Sequence, residues 1–433
     1  MSKVEVGVSD FIAPASLYVH VPLCASKCSY CDFYSVPSPA NAEACESALV
    51  GAILDRASTL SRRFGAERFD TVYVGGGTPS ILSAVALDRL LAGLETLAIG
   101  ASAQRPREWT VEANPDSICP EKLELMKAHG VTRVSIGVQS LDPEELALLG
   151  RRHNPDSALG AVRRAAEAGM AVSADLIAGI PALPQSRRDF ADADRLAGFS
   201  RELQDAGAAH LSIYDLTIEE GTPLAARRAH LRFPDEDEDW ETRQKLEASL
   251  AKSGLRRYEV SNYSAVGDEC RHNLAYWHMD SYIGAGPGAV STLVHRSGTA
   301  LRIEEARIIE DYGLLSSGAA LETVIGLKDA FFESIMMAFR SSFGLDLAVF
   351  RRRFGLDASA IIGSSLSNWG SHVVRGEPWP WMDSSGGPAL DGSGLDLLNR
   401  FLIDCLEEIE RNLPLLRQIE AEKRTVIRKE GNS

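Results

Sequence analysis

Three cysteines lie close together near the start of the chain, in the segment LCASKCSYCDFYS at residues 23–35. Cys24, Cys28 and Cys31 follow the spacing C-x3-C-x2-C, and Phe33 occupies the position where a further cysteine could stand. Three thiolates together with His20 could hold a zinc ion. The same thiolates could also hold a [4Fe–4S] cluster and leave one iron open to a small-molecule chelate. The spacing alone favours neither metal.

Polar residues at the ends of six apolar runs could complete a site beside these thiols. The runs are SLYVHV (16–21), DTVYV (70–74), WTVEA (109–113), RVSIGV (133–138), VSADLIAG (172–179) and HLSIYDL (210–216). They contain, or are followed by, the cysteine segment, the loop GGGTPS, Glu112, Gln139, Asp175, Tyr214 and Asp215. The carboxyl ends of parallel strands share one edge of a sheet, so we expect these groups to converge.

Helical patterns separate the apolar runs, and four of them lie at 41–63, 80–97, 120–129 and 155–169. Six β–α repeats predict an α/β fold with a parallel sheet and helical crossovers. Such a sheet is either an open barrel or a doubly wound sheet, and hydrophobic periodicity does not choose between them.

The pattern changes after residue 220. One helix is expected at 236–253, and the stretch 329–341 reads as a helix with an apolar stripe. The composition then shifts toward a small helical unit. We therefore divide the chain into a core at 1–230, an extension at 231–345 and a small, mainly helical C-terminal domain at 346–433.

Composition limits the class of protein. The chain has 433 residues, 45% hydrophobic and 24% charged, which is typical of a globular protein. Its formal net charge is −15 and no long basic stretch occurs, so we expect no nucleic-acid partner. No signal peptide and no transmembrane segment is evident. The seven cysteines do not resemble a disulfide framework, and a reducing, cytoplasmic location is expected.

Nine segments in order, between residues 17 and 289, resemble the radical S-adenosylmethionine (SAM) superfamily, and within it the oxygen-independent coproporphyrinogen III oxidase-like family. The segments are LYVHVPLCASKCSYCDFYS, VYVGGGTPS, TVEANPDS, RVSIGVQSLDPEELALLGRRH, DLIAGIPALP, HLSIYDLTIEEGTPL, YEVSNYS, CRHNLAYW and YIGAGPGA. The resemblance implies a partial (β/α)6 radical SAM barrel with a small helical C-terminal domain.

The resemblance also implies cofactors. Cys24, Cys28 and Cys31 would ligate three irons of a [4Fe–4S] cluster, and the amino and carboxylate groups of SAM would chelate the fourth. Reduction of that cluster would cleave SAM to a 5′-deoxyadenosyl radical, and an electron donor is therefore implied. The positions that carry over as SAM contacts are Tyr18, Tyr30, Gly76, Gly77, Thr78, Glu112, Gln139, Arg151, Asp175 and Val290.

Two branches of this family differ in function. The oxidase branch has a further cysteine where Phe33 stands, whereas the HemW-like heme chaperone branch has an aromatic residue there and carries H-N-x-x-Y-W. The chain contains HNLAYW, with His272, Tyr276 and Trp277 as implied heme contacts, and the segment before its cysteines is short. One departure is Val290, because many members of the chaperone branch have histidine at that position.

The sequence therefore favours a heme chaperone that binds heme and transfers it to an acceptor protein. It favours no coproporphyrinogen dehydrogenase activity. The alternative is the oxygen-independent coproporphyrinogen III dehydrogenase, which makes protoporphyrinogen IX. A zinc-stabilised binding protein is a third hypothesis. The sequence does not identify the acceptor, the oligomeric state or whether heme is attached covalently.

Overall fold

The protein is described by a computed structural model that covers residues 10–38, 42–190, 192–309, 312, 320–381, 386–419 and 421. Its strands are β1 (Ser16–Val21), β2 (Leu23–Cys24), β3 (Val36–Pro37), β4 (Thr71–Gly76), β5 (Glu108–Ala113), β6 (Arg133–Gln139), β7 (Ala171–Ala178), β8 (His210–Asp215), β9 (Arg256–Arg257), β10 (Asn262–Ser264), β11 (Tyr282–Ala285), β12 (Val290–Val294), β13 (Ala300–Glu304), β14 (Leu321–Ile325), β15 (Val373–Arg375) and β16 (Pro388–Leu390).

The helices of the described ranges lie mostly between these strands. They are α1 (Ala42–Arg63), α2 (Ala84–Ile99), α3 (Pro120–Ala128), α4 (Pro143–Leu149), α5 (Pro155–Glu167), α6 (Asp194–Asp205), α7 (Pro223–Ala226), α8 (Glu236–Lys252), α9 (Arg271–Trp277), α10 (Leu327–Ala338), α11 (Leu347–Phe354), α12 (Ser359–Asn368), α13 (Gly392–Asp396) and α14 (Leu398–Arg411). Short 3-10 turns lie at Pro79–Ile81, Gly100–Ser102 and Arg228–His230.

Six parallel strands form the centre of the sheet, in the order β1-β4-β5-β6-β7-β8. Each crossover between them contains at least one helix, from α1 after β1 to α6 before β8. A doubly wound sheet reverses its strand order at a switch point, and the order of these six strands does not reverse. The predicted α/β fold with a partial (β/α)6 barrel is therefore confirmed.

Antiparallel strands extend the sheet beyond the six parallel ones. β11 pairs parallel to β1, and β12, β13 and β14 follow it antiparallel; on the other side β10 and β9 follow β8. The described sheet therefore has twelve strands and two ends, β14 and β9. We call the gap between the β8–β10 side and the β11–β13 side the seam.

Side chains alternate between the two faces of the parallel strands. Val72 and Val74 of β4 are fully buried and belong to the same core as Leu90 of α2. The residue between them, Tyr73, instead contacts Glu112 of the neighbouring strand through a hydrogen bond of 2.8 Å. The outer face is thus apolar and covered by helices, whereas the inner face carries polar groups.

A second core lies beneath the C-terminal helices. Phe331 of α10 contacts Phe350 and Phe354 of α11, with ring centroids 4.9 and 5.1 Å apart. Phe339, just after α10, packs on Phe401 of α14 at 4.6 Å. This core includes α10, which precedes residue 346. The division at residue 346 stays a prediction, and most of the stretch after 419 lies outside the described residues.

One further finding concerns the length and polarity of the helices. Among the residues that the structure describes, no helix is both long and apolar enough to cross a membrane.

Candidate functional site

The three clustered cysteines lie on the loop that follows β1. Cys24 ends β2, and the other two lie in the irregular segment before β3. Ser29 anchors this loop: its N–H donates to the Leu149 carbonyl over 3.0 Å, and its own carbonyl accepts from the Leu224 N–H over 2.8 Å. All three thiols are free and partly buried. The loop is therefore held against α4 and α7 by backbone hydrogen bonds.

Two residues from later loops contact these thiols, Thr78 after β4 and Arg151 between α4 and α5. Arg151 Nη1 donates to Cys28 Sγ over 3.5 Å, and Thr78 Oγ1 lies 3.6 Å from Cys24 Sγ. Burial raises the pKa of the Cys24 and Cys31 thiols. Binding of iron to these sulfurs would therefore release protons, since thiolates rather than thiols ligate metals.

His20 lies near the loop but is not placed as a metal ligand. Its Nε2 donates to the Tyr34 carbonyl over 3.0 Å, so its Nδ1 must accept from the Tyr18 hydroxyl, also over 3.0 Å. Within the described ranges, no three His, Cys, Asp or Glu side chains converge closely enough for one shared metal ion. A [4Fe–4S] cube takes each thiolate on a different iron and needs no such convergence. The residues therefore fit the cube better than zinc.

Three glycines at the end of β4 and directly after it, Gly75, Gly76 and Gly77, permit close packing. Gly76 adopts φ +102°, and a Cβ there would lie 2.4 Å from the His20 ring. A Cβ on Gly77 would lie 2.6 Å from the Leu23 carbonyl oxygen. The Gly76 N–H donates to Glu112, and the Gly77 N–H donates to the Val21 carbonyl. These two N–H groups are engaged within the protein, so the glycines let the loop lie against β1 and β2.

Two carboxylates face the barrel interior. Glu112 accepts hydrogen bonds from the Tyr73 hydroxyl over 2.8 Å and the Gly76 N–H over 3.0 Å, and burial raises its pKa to about 7. Asp175 accepts from the Ser135 hydroxyl over 3.1 Å, and burial raises its pKa to about 6. A cationic ligand group beside either carboxylate would reverse this effect, because an opposite charge favours the ionised form.

Arg151 is the centre of a polar cluster at the carboxyl end of β6. Its Nη2 donates to Asn114 Oδ1 over 2.7 Å and also to the Gly137 carbonyl. Gln139 adopts φ +68° beside a bulge in β6, a conformation that non-glycine residues rarely take. A Cβ on Gly137 would lie 2.9 Å from Gln139 Nε2 and 3.1 Å from Asn114 Oδ1. The irregular end of β6 thus brings the Gln139 amide and the Arg151 guanidinium together near the cysteine loop.

The remaining implied SAM contacts lie on the same elements. Tyr18 is on β1 and its ring lies 6.2 Å from that of Tyr73. Tyr30 packs on the apolar cluster that contains Leu149. Val290 begins β12, and its carbonyl oxygen would lie 2.1 Å from a Cβ on Gly284, so only glycine lets β11 and β12 approach there.

His272 lies away from the cysteine loop, beside the first residues of β1 and β4. It is fully buried. Thr71 donates its hydroxyl to Ser16, so its oxygen accepts from His272 Nδ1 over 2.9 Å. His272 Nε2 is then the acceptor for the Tyr276 hydroxyl over 2.8 Å. Both ring nitrogens are therefore occupied, and burial lowers the pKa of this imidazole to about 3.

Glu108 holds the helix that carries this histidine. Its carboxylate accepts from the backbone N–H groups of Arg271 over 3.0 Å and His272 over 2.9 Å. A carboxylate at a helix N-terminus satisfies donors that have no partner inside the helix. The start of α9 is thereby fixed to the amino end of β5.

A cavity of about 520 Å³ lies at the seam, and we call it the seam cavity. Its walls come from both sides of the gap: Tyr214 and Asn262 from the β8–β10 side, and Tyr282 and Arg302 from the β11–β13 side. Arg302 forms an ion pair with Glu333 of α10 at 3.0 Å. The cavity therefore lies between the two sides of the seam and the helical part.

Two of the three residues implied to contact heme line the seam cavity. Tyr276 and Trp277 belong to its wall, together with Met279, Met336 and Met337. His272, the third, does not line it. The structure thus places the two aromatic residues of HNLAYW in the cavity wall, whereas the histidine lies outside that wall.

Sequence reasoning missed the methionines of this wall. Glu333, Met336 and Met337 stand at i, i+3 and i+4, which places them on one face of α10. That spacing was visible in the sequence. It looked like part of an ordinary apolar stripe, and only the fold shows that this face borders a cavity.

Comparisons with known proteins agree with this geometry. The sequence model of the Radical SAM superfamily matches residues 18–197. The heme chaperone HemW of Mycobacterium tuberculosis (strain ATCC 25618 / H37Rv) is 37% identical over 279 residues, covering 64% of this chain and 69% of the relative. The heme chaperone HemW of Escherichia coli (strain K12) is 35% identical over 298 residues, covering 68% and 75%.

A mammalian relative and a solved structure extend the comparison. The mitochondrial radical S-adenosyl methionine domain-containing protein 1 of Mus musculus is 36% identical over 348 residues, covering 76% of this chain and 74% of that protein. The structure of coproporphyrinogen III oxidase (HemN) from Escherichia coli, a radical SAM enzyme, superposes with a TM-score of 0.72. It covers 92% of both chains at 19% identity, so it shows the fold alone.

The partial barrel, with three free cysteines after its first strand and polar groups at the following strand ends, defines a protein of the radical SAM class. The matches to the sequence relatives are long, and their sequence identities are well above the identity to the oxidase. The chain belongs to the HemW heme chaperone family.

Proposed function

We propose that this protein is a heme chaperone of the radical SAM type, which binds heme and transfers it to an acceptor protein. The observation that carries the proposal is the identity of 35–37% to HemW chaperones over about two thirds of the chain. Phe33 adds support from the structure. It is 65% exposed, so it has no packing role that would explain an aromatic residue beside the cysteines.

Cys24, Cys28 and Cys31 would hold the [4Fe–4S] cluster. Arg151 and Thr78 support this assignment, because each already contacts one of the thiol sulfurs. Donors beside the sulfurs stabilise thiolate charge and tune the potential of a cluster. When bound and reduced, the cluster supplies the electron that cleaves SAM, and the protein orients the ligand and excludes water.

The SAM site would lie between the cysteine loop and the inward carboxylates. Glu112 is suited to accept from the N–H groups of the SAM amino nitrogen, and Arg151 to pair with its carboxylate. Asp175 and Gln139 would read the ribose hydroxyls. Tyr18, Tyr30, Gly76, Gly77, Thr78 and Val290 would form the walls of this site.

The heme site would include the HNLAYW segment. Tyr276 and Trp277 offer aromatic surface to a porphyrin, and His272 holds the Tyr276 hydroxyl through its Nε2. Partners of this function would be heme, a heme-accepting protein and an electron donor for the cluster. Oxygen-sensitive iron–sulfur chemistry and the free cysteines support a reducing compartment such as the cytoplasm.

One observation favours a second function. The fold matches that of coproporphyrinogen III oxidase across 92% of the chain, so the same scaffold can carry an oxidative decarboxylation. This alternative predicts formation of protoporphyrinogen IX from coproporphyrinogen III.

A single preparation tests both functions. The anaerobically reconstituted protein is incubated with reductant, SAM and coproporphyrinogen, and a second portion is titrated with heme. We expect tight, saturable heme binding and no porphyrinogen product. Formation of protoporphyrinogen at a catalytic rate would establish the alternative, and the absence of saturable heme binding would remove the chaperone function.

A further inference from the structure

We infer that the seam cavity receives the ring of the heme and that a methionine thioether of its wall ligates the iron, in place of the His272 imidazole. The inference rests on the proposed function, because heme is the ligand that this cavity would take. It concerns Met279, Met336 and Met337, which no motif of the family resemblance includes.

The His272 imidazole is not available in this conformation. Nε2, the ring nitrogen that has a lone pair available for iron, accepts from the Tyr276 hydroxyl. Nδ1 carries the proton and donates to Thr71. The ring is fully buried and stacks on Tyr73, with centroids 5.2 Å apart. Ligation through Nε2 would take away the acceptor of the Tyr276 hydroxyl, and an unsatisfied buried hydroxyl is costly.

The methionines need no such rearrangement. Met336 and Met337 line the cavity from α10, and Met279 lines it from the turn after α9. Thioether sulfur is an established axial ligand of heme iron, and the methionine side chain adapts its shape readily. Ligation would form one dative bond from sulfur to iron, with no change in redox state and no proton transfer.

The other walls offer aromatic surface to a flat ligand, and their charged side chains are Arg302 and the acidic residues Glu259, Asp280 and Glu333. Tyr276 and Tyr282 pack edge to face with centroids 4.5 Å apart. The buried Trp277 indole N–H has no acceptor among the described residues. A ligand carboxylate would satisfy this donor, because an unpaired buried N–H is costly. The volume of about 520 Å³ falls in the range of organic-ligand pockets, roughly 300–1,000 Å³.

The test compares methionine and histidine variants of the full chain by hemin titration. Magnetic circular dichroism of the bound ferric heme reports the axial ligand directly. The variants are Met279→Leu, Met336→Leu and Met337→Leu, singly and together, and His272→Gln. Leucine preserves volume and apolarity but removes the sulfur. Met126→Leu is the matched control, since Met126 is buried in the main core and away from the cavity.

We expect the triple variant to lose the thioether signature and to bind hemin about tenfold more weakly, which corresponds to about 1.4 kcal/mol. His272→Gln and Met126→Leu should keep the signature. If the triple variant unfolds, the same measurements are made on the single variants. One single variant should then lose the thioether signature and bind hemin more weakly.

Two results would overturn different claims. Unchanged affinity and an unchanged thioether signature in the methionine variants, or an imidazole signature that only His272→Gln removes, would refute the inference and leave the chaperone function intact. A wild-type protein that shows no saturable hemin binding would refute the proposed function itself.

Discussion

The pKa of Glu112 makes SAM affinity depend on pH. In the ligand-free protein, burial raises this pKa to about 7. The ionised carboxylate accepts hydrogen bonds from the N–H groups of the SAM amino nitrogen more strongly than the protonated carboxyl does. Because the raised pKa belongs to an acid, the ionised fraction increases as the pH rises through 7, and SAM affinity should increase with it.

The size of the effect follows from the fraction ionised. With a pKa of about 7, roughly one tenth of Glu112 is ionised at pH 6 and roughly nine tenths at pH 8. The dissociation constant for SAM should therefore be about ninefold larger at pH 6, provided that the pKa falls well below 6 in the complex. Asp175, with a pKa of about 6, adds a smaller dependence at the acidic end.

Anaerobic isothermal titration calorimetry of the reconstituted protein measures this dependence. Cluster content is determined at each pH as a control, so that iron loss is not mistaken for weaker binding. Glu112→Gln should flatten the profile and weaken binding at pH 8 by about tenfold or more, because a charge-assisted hydrogen bond contributes about 1.5–3 kcal/mol. An equally steep profile in Glu112→Gln would refute the assignment of this carboxylate to the SAM amino group.

Three further sets of variants test the cysteine loop, the end of β4 and a buried ion pair. Cys24→Ala, Cys28→Ala or Cys31→Ala should each remove iron and acid-labile sulfide from the reconstituted protein, whereas Cys119→Ala should retain both; retention by any of the first three would remove that residue from the ligand set. Gly76→Ala should lower the free energy of unfolding by about 2–3 kcal/mol, measured in urea, because a Cβ would lie 2.4 Å from the His20 ring at φ +102°. Gly65→Ala is its control, with φ +66° but open space around the Cβ, and should cost only about 1 kcal/mol. Arg56→Met should destabilise the protein by about 3–5 kcal/mol because Glu305, 2.6 Å away, would lose its buried ion partner, and adding Glu305→Leu should recover most of that loss.

The sequence predicted the local elements well because their patterns are local. The run at 70–74 corresponds to Thr71–Gly76, and the expected helix at 329–341 corresponds to Leu327–Ala338. It did not separate a barrel from a doubly wound sheet, since both use the same β–α repeat. The inner polar face, on which Tyr73 and Glu112 meet, becomes evident only when the strands are placed in order.

The cluster residues were predictable from their spacing and the resemblance, but their partners were not. His272 bonds to Thr71, which lies 201 positions earlier in the chain, and no local pattern encodes that contact. The same holds for the seam cavity, whose walls come from the two ends of a sheet and from α10. A motif such as HNLAYW therefore indicates which segment is involved, while the fold decides which of its side chains are accessible.

The seam also affects how the barrel wall can move. Backbone ladders join neighbouring strands from β14 to β9, whereas both sides of the seam are tied to the helical part by side-chain pairs such as Arg302–Glu333 and Arg257–Asp396 and by a backbone bridge between Glu259 and Ser341. Separation of the wall at this line would break side-chain contacts and leave the main-chain ladders intact. The seam is therefore where the wall can separate while the strands from β14 to β9 stay in register.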